Sequence, residues 1–272
     1  GGSPNRLRLT VTSEDASLAA GQYARFVHYI EGLRVGDLQW GTANAVDIVL
    51  RFGFKGPAGT YAVVITNQDS DRSFVREFTI SGGEADTDTV QTVTFPGDTS
   101  GTWDKDNTLS FQVSFTFATG STYQTTADSW QAGNYLGTSS TSNGIGTTSD
   151  VFEIFDVGLY ADPDSTGVAP RFELPHYDDD LRECQRYYLK NSSINSAQCG
   201  FDTTSGFGYR FSYQFPVLMR AAPTISTVSD FSLGFGTITY LSAADGITIT
   251  GTASGTSPGR YIRVRFEANA RL

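Results

Sequence analysis

The chain has 272 residues, of which 39% are hydrophobic and 18% are charged, and its net charge is −10. Aromatic residues make up 13% of the chain, which disfavours a disordered protein, since disorder goes with few aromatics and dense charge. A helical bundle is disfavoured as well, because 33 Thr, 27 Ser and 29 Gly are poor helix formers. The composition predicts an all-β protein with enough apolar residues for a core.

Acidic residues are concentrated in the middle of the chain. Residues 81–180 hold 16 Asp and Glu against two Lys and Arg. Nucleic-acid phosphates need a cationic surface, so we expect no nucleic-acid partner. No apolar run approaches the roughly 18 residues of a membrane span, so we expect no membrane insertion. The acids themselves indicate either solubility alone or a cation site.

Strand patterns recur along the first 160 residues at the spacing of a sandwich or barrel. The clearest is 109–117, where every second residue from Leu109 to Phe117 is apolar, so we expect one face in the core and one hydroxylated face in water. The other predicted strands are 7–11, 23–30, 46–54, 61–66, 73–80, 89–95 and 151–160. Eight or nine strands predict a two-sheet jelly roll.

The remaining segments complete the predicted domain organisation. Residues 119–149 form a long Gly/Ser/Thr-rich loop, of a length that usually carries function or is mobile. A connector rich in Pro and Asp precedes a helix predicted over 178–188 with an Asp N-cap. Strand patterns return from Phe201, at 209–215, 224–228, 237–241, 247–250 and 261–266. We therefore predict a jelly roll over 1–161, a connector with a short helix over 162–190 and a smaller β domain over 191–272.

The two cysteines and the first residues leave alternatives open. Cys184 and Cys199 either pair across a hairpin or remain unrelated thiols, so the compartment does not follow from them. The start, Gly1-Gly2-Ser3, lacks a Met, and we expect that a further segment preceded it.

Motifs for catalysis are missing from the sequence. The two histidines, His28 and His176, are far apart, and neither a zinc-ligand spacing nor a Gly-x-Ser-x-Gly or phosphate-loop motif occurs. Glycoside hydrolysis needs two carboxylates on one cleft. Glu153 and Asp156 fall on opposite faces of a predicted strand, and the acids at 104 and 106 fall in a predicted turn. We therefore expect a protein that is not an enzyme.

Calcium is a better match for the clustered acids than catalysis. Two turn segments offer alternating oxygen ligands, although neither has the Gly and terminal Glu of an EF-hand. The weak calcium candidates are Asp69 and Asp71, beside Asn67, and Asp104 and Asp106, beside Asn107. No other cofactor is expected.

Aromatic side chains are the candidates for sugar binding, because β-sandwiches usually stack an exposed ring on a sugar and add polar hydrogen bonds. Trp40, Trp103 and Trp130 each fall at a predicted strand end or in a loop, and Tyr123 and Tyr135 flank Trp130. The alternative is that each Trp plugs an end of the sandwich. Trp130 is the strongest candidate for an exposed ring, because its loop is polar and bordered by Gly.

Several segments of the sequence resemble segments of a family of bacteriophage and prophage tail-fibre proteins. They are Arg6-Leu-Arg-Leu-Thr-Val-Thr, Ala16-Ser-Leu-Ala-Ala-Gly-Gln-Tyr23, Ile30-Glu-Gly32, Phe172-Glu-Leu-Pro, Cys184-Gln-Arg-Tyr-Tyr188 and Phe215-Pro-Val-Leu-Met-Arg-Ala-Ala-Pro223. In that family a carbohydrate-binding-module-like jelly roll ends in the Cys-Gln-Arg-Tyr-Tyr element, and a short β domain follows. The resemblance covers nearly the whole chain.

The resemblance implies a tail-fibre or spike module of the virion that recognises and attaches to a host-cell surface polysaccharide. It also implies a homotrimer, contacts with other tail or capsid proteins, and a structural calcium as in many carbohydrate-binding jelly rolls. Two alternatives stay open: a capsid or tail decoration protein that binds only other virion proteins, and an accessory domain of a polysaccharide depolymerase.

Overall fold

The computed structural model describes residues 5–199, 206–255 and 260–272. The chain forms two compact units, unit 1 (Gly1–Leu174) and unit 2 (Pro175–Leu272). The predicted connector is divided between them, because residues 162–174 cluster with unit 1 and its helix clusters with unit 2. No helix in these ranges is long and apolar enough to cross a membrane.

Unit 1 consists of nine strands and three short 3-10 turns, and all of its strand pairs are antiparallel. The strands are β1 (Leu7–Thr10), β2 (Tyr23–Glu31), β3 (Ile48–Lys55), β4 (Gly59–Asn67), β5 (Arg72–Ile80), β6 (Thr89–Phe95), β7 (Leu109–Thr119), β8 (Trp130–Ala132) and β9 (Val151–Ala161). The 3-10 turns are Gly32–Arg34, Gly36–Leu38 and Ser121–Tyr123.

The strands of unit 1 form two sheets. The four-stranded sheet has the order β1-β9-β3-β6, and the five-stranded sheet has the order β2-β7-β4-β5-β8. Leaving out β8, the chain crosses between the sheets at every step except from β4 to β5, which form a hairpin. This is the strand order of a jelly roll, with β8 as an additional edge strand.

The core of unit 1 contains the inward rings and branched side chains of both sheets. Phe52 and Phe54 of β3, Phe117 of β7 and Phe152 of β9 have essentially no exposed surface. The alternation predicted for 109–117 is confirmed on this side, because Leu109 is half-buried and the next four apolar residues are buried.

The opposite side of β7 corrects the prediction that it faces water. Ser110, Gln112, Ser114 and Thr116 are at most 5% exposed. β7 is a central strand between β2 and β4, so neighbouring strands flank its outward side chains on both sides. The two-residue period gave the correct face for each residue, but it carried no information about what covers the outer side.

The described residues of unit 2 form one helix and six strands. They are α1 (Tyr177–Tyr187), β10 (Tyr188–Cys199), β11 (Gly208–Gln214), β12 (Thr224–Leu233), β13 (Phe235–Ala243), β14 (Gly246–Ala253) and β15 (Arg260–Asn269). Two three-stranded sheets, β10-β15-β12 and β11-β14-β13, contribute to one apolar cluster that includes Met219, Ile249, Val264 and Phe266.

Three details of unit 2 differ from the sequence predictions or lie beyond them. The helix begins at Tyr177 with His176 as N-cap, and no side chain caps it, so the predicted Asp N-cap is wrong. β10 was missed, because its polar sequence lacks an apolar alternation. Cys184 is a free, exposed thiol, and the side chain of Cys199 lies outside the described residues, as does Phe201.

Candidate functional site

The three tryptophans form one cluster at an end of the unit 1 core. Trp40 lies edge-on to Trp103 and to Trp130, with ring centroids 4.8 and 5.3 Å apart, and Trp103 and Trp130 are 5.7 Å apart. Phe111 and Phe74 extend the cluster, since their rings lie 4.4 Å from Trp40 and 5.3 Å from Trp130. Edge-to-face pairs of this kind stabilise a core beyond the area that they bury.

This cluster corrects two of the predicted glycan contacts. Trp40 is 2% exposed and Trp103 is 6% exposed, so neither ring offers a face to a sugar. Trp130 is half-buried, its ring packs against the core, and its indole N–H donates to the backbone oxygen of Pro96 at 3.0 Å. Burial of a large apolar ring is favourable in free energy. The structure therefore favours the alternative, in which the tryptophans pack into the end of the sandwich.

A buried ion pair closes the same end of the core. Asp98 is 1% exposed and accepts two hydrogen bonds from the Arg72 guanidinium, at 2.7 and 3.0 Å. The indole N–H of Trp103 donates to the same carboxylate at 3.2 Å, and Ser100 donates to it from its backbone N–H and its hydroxyl. Because each of these groups has a partner, this end of unit 1 has the character of a structural element.

The outer face of the five-stranded sheet has a different character. Cross-strand pairs arrange its residues in three rows across β2, β7, β4 and β5. The first row contains Arg25, Thr116, Ala62 and Glu77; the middle row contains Val27, Ser114, Val64 and Val75; the third contains Tyr29, Gln112, Thr66 and Ser73. We call these three rows the outer face.

The floor of the outer face contains hydroxyl groups without partners. Thr116 and Thr66 are at most 1% exposed, and their Oγ1 atoms make no hydrogen bond to any residue that the structure describes; Ser110, further along β7, has the same property. A buried hydroxyl that forms no hydrogen bond costs about 1–3 kcal/mol, so each such group is a feature to be explained. A ligand would reach these atoms only after the side chains that shield them move.

Arg25 lies over this floor. Its Nη1 donates to the Ser114 hydroxyl at 2.9 Å, and its Cζ lies 5.3 Å from the centroid of the Tyr23 ring. The guanidinium therefore extends from the first row to the middle row of the outer face. Tyr23 in turn meets Tyr123 edge-on, with centroids 5.0 Å apart, which places the predicted contact Tyr123 beside the outer face.

Tyr29 provides an exposed ring at the other end of β2. It is 40% exposed and lies in register with Gln112, which donates to the backbone oxygen of Asn67 and to Ser70 Oγ. The sequence analysis missed Tyr29 and Arg25, although a signal for them exists. Both lie at positions of β2 with the opposite parity to Phe26 and Ile30, which pack on the core.

Tyr135 covers the opposite half of the outer face. It packs on Ala62, Val64 and Val75, and its backbone N–H donates to Ser73 Oγ at 3.3 Å. The hydroxyl of Thr138, on the same loop, donates to the Glu77 carboxylate. The long loop thus closes the β4–β5 half, and the β2–β7 half is more accessible along β2, where Tyr29 is exposed. Of the five predicted contacts, the structure brings Tyr123 and Tyr135 to this site.

The weak calcium candidates take part in turns. Asp71 accepts a 2.6 Å hydrogen bond from the Asn67 amide, and Asp69 is exposed beside Gln68. Asp104 and Asp106 both accept from the Thr108 hydroxyl, and the bonds from the Thr108 side chain and backbone lower the pKa of Asp106. Within the described residues, no group of three or more His, Cys, Asp and Glu side chains is placed to hold an ion.

Comparisons with known proteins give little further information. No family model matches the chain, and no curated protein matches it. Among solved structures, recombinant discoidin II of Dictyostelium discoideum is 11% identical over 94% of this chain and 79% of that chain, with a TM-score of 0.24. A deletion mutant of Bacillus subtilis oxalate decarboxylase is 11% identical over 100% and 78%, with a TM-score of 0.12. TM-scores this low carry no argument about fold or function.

Proposed function

We propose that this chain is a non-catalytic glycan-binding module, and that the β2–β7 half of the outer face takes the sugar. The observation that carries the proposal is the combination of an exposed ring, Tyr29, with the Arg25 guanidinium beside β7, whose outward residues are Ser, Gln and Thr. Saccharides present both kinds of surface, an apolar ring face that stacks on aromatic side chains and hydroxyls that both donate and accept.

The polar floor supports a sugar better than it supports a protein partner. The core of a protein–protein interface is enriched in apolar and aromatic residues and depleted of Ser. Here Ser and Thr side chains occupy the central strands, and two of the hydroxyls in the three rows lack partners. A ligand rich in hydroxyl groups matches such a floor, since it supplies a donor and an acceptor at each contact.

The biological setting is proposed from the resemblance to tail-fibre proteins. In that setting the chain is part of a virion appendage, its ligand is a polysaccharide of the host-cell surface, and its neighbours are other tail or capsid proteins. Immunogold labelling of intact particles tests this placement. Labels at the fibre tips support it, whereas labels over the capsid shell indicate a decoration protein.

Glycan binding is tested with the full chain on a glycan array, followed by calorimetry with the best ligand. We expect binding that Tyr29→Ala weakens at least tenfold, because the stacking surface is lost. Tyr177→Ala removes an exposed tyrosine from α1, on unit 2, and serves as the control, with unchanged affinity. Absence of binding to every glycan, with and without calcium, contradicts the proposal.

The non-catalytic part of the proposal has its own measurement. The chain is incubated with the polysaccharide that it binds, and reducing ends are counted over time. We expect no increase above the polysaccharide alone, whereas steady release would identify a depolymerase.

We also propose a homotrimer, as the resemblance implies. In unit 2 several apolar side chains are exposed, including Leu241 at 75% and Phe207 at 64%, and self-association would cover them. In the described ladders β10 and β12 each pair only with β15, so both present an open sheet edge. Light scattering tests this: three chain masses at micromolar concentration are expected, and one chain mass contradicts it.

A further inference from the structure

Arg25 differs from three other arginines of unit 1 in its partner. Arg6, Arg72 and Arg76 each donate to a carboxylate at 2.6–2.7 Å. Arg25 donates to a neutral hydroxyl, and no ion pair joins it to a carboxylate in the part of the chain that the structure describes. A guanidinium has five N–H donors, and among the described residues Arg25 uses one of them, on a neutral hydroxyl, so most of its capacity to pair with an anion is unused.

This arrangement contrasts with the acidity of unit 1. Residues 1–174 hold 21 Asp and Glu against 10 Lys and Arg, so acceptors are plentiful on this unit. In the rows of the outer face the other charged residue is Glu77, in the same row as Arg25 but three strands away. Three strand spacings amount to about 14 Å. At this backbone separation Glu77 makes no ion pair with Arg25 among the described residues, and its carboxylate accepts from the Thr138 hydroxyl instead.

The surroundings of Arg25 match an anionic group attached to a sugar. The guanidinium is half-buried and lies near the ring of Tyr23. It rests on Ser114, whose hydroxyl would be released if an anion replaced it as acceptor. Thr116, in register with Arg25, holds a hydroxyl without a partner. A guanidinium paired with a neutral hydroxyl and a second hydroxyl without a partner therefore lie at adjacent positions of the outer face, and a ligand reaches the two hydroxyls once the side chains over them move.

We infer that the outer face binds a saccharide that carries an anionic group, and that Arg25 pairs with this group. The inference rests on the proposed glycan-binding function and adds the ligand class to it. The planar fork of a guanidinium matches carboxylate and phosphate alike. Carboxylated and phosphorylated sugars thus share the recognised chemistry, and the experiment has to distinguish them.

The experiment compares Arg25→Gln with Arg8→Gln on an array of neutral, uronic-acid, sialylated and phosphorylated oligosaccharides. Both variants remove one positive charge, but Arg8 lies on β1 in the other sheet, and its side chain is exposed. The best acidic ligand is then measured by calorimetry beside its counterpart with the carboxyl groups reduced to alcohols, or with the phosphate removed. Thermal unfolding verifies that both variants are folded.

We expect the wild type and Arg8→Gln to bind the acidic ligand at least tenfold more tightly than its neutral counterpart. Arg25→Gln should remove that preference while keeping the weaker binding of the neutral form. Equal binding of both forms by the wild type, or a preference that survives in Arg25→Gln, overturns the inference and leaves glycan binding intact. Absence of any glycan binding overturns the proposed function instead.

Discussion

The tryptophan cluster, which contains three of the predicted sugar contacts, and the outer face lie on the same unit, yet their polar groups are used in opposite ways. At the cluster each indole N–H has an acceptor, and the Asp98 carboxylate accepts from Arg72, Trp103 and Ser100. On the outer face, two threonine hydroxyls have no partner, and Arg25 has no anion.

This contrast in how polar groups are used shows that aromatic residues alone do not identify a binding surface. Tryptophans bury more apolar area than any other side chain, so a free-energy gain draws them into the core wherever their N–H finds an acceptor. A buried polar group without a hydrogen-bond partner destabilises the folded state, because it has lost its hydrogen bonds to water. Unsatisfied hydroxyls and an unpaired cation are therefore the better indication of where a ligand binds.

The largest expected effect comes from breaking the buried ion pair. Asp98→Ala leaves the Arg72 guanidinium and the Trp103 N–H short of an acceptor, and we expect a loss of about 3–5 kcal/mol in the free energy of unfolding. Urea titration followed by tryptophan fluorescence reports on unit 1, because all three tryptophans lie there. The control is Asp128→Ala, which removes an exposed carboxylate from Arg76 and should cost less than about 1 kcal/mol. Equal losses in the two variants would show that Asp98 makes no special contribution.

An intermediate effect separates the cluster from the outer face. Trp130→Ala removes a half-buried ring that contacts Trp40, Trp103 and Phe74, and we expect unfolding to become easier by about 3 kcal/mol. Glycan affinity of the folded variant should stay unchanged, since the ring points into the core. Calorimetry at a temperature where the variant is fully folded checks this. A tenfold weaker glycan affinity would show that Trp130 does contribute to sugar binding.

The smallest effect should have the opposite sign. Thr116→Val replaces an unpartnered buried hydroxyl with a methyl group of similar size, and we expect the protein to gain about 1 kcal/mol in stability. Thr119→Val is the matched control, because its buried hydroxyl donates to the Gly120 backbone oxygen, and its loss should destabilise. The same urea titration measures both. Destabilisation by Thr116→Val would mean that its hydroxyl has a partner after all.

Much of the fold of unit 1 followed from local patterns. The predicted strands match β1 to β7 and β9 closely, because an apolar residue at every second position can be buried only by an extended chain. β8 and β10 escaped prediction because one is three residues long and the other is mostly polar. The candidate site was predicted less well: Tyr123 and Tyr135 reach it, whereas Arg25 and Tyr29 were overlooked.

The sequence by itself determined the all-β class, the position of most strands and which side chains of each strand share a face, since these follow from composition and a two-residue period. Only the tertiary structure decided which faces are covered. Arg25 and Ser114 are 89 residues apart and meet because β2 and β7 pair in one register. The burial of the tryptophans and of both sides of β7 likewise depends on neighbours distant in sequence, and no local pattern encodes them.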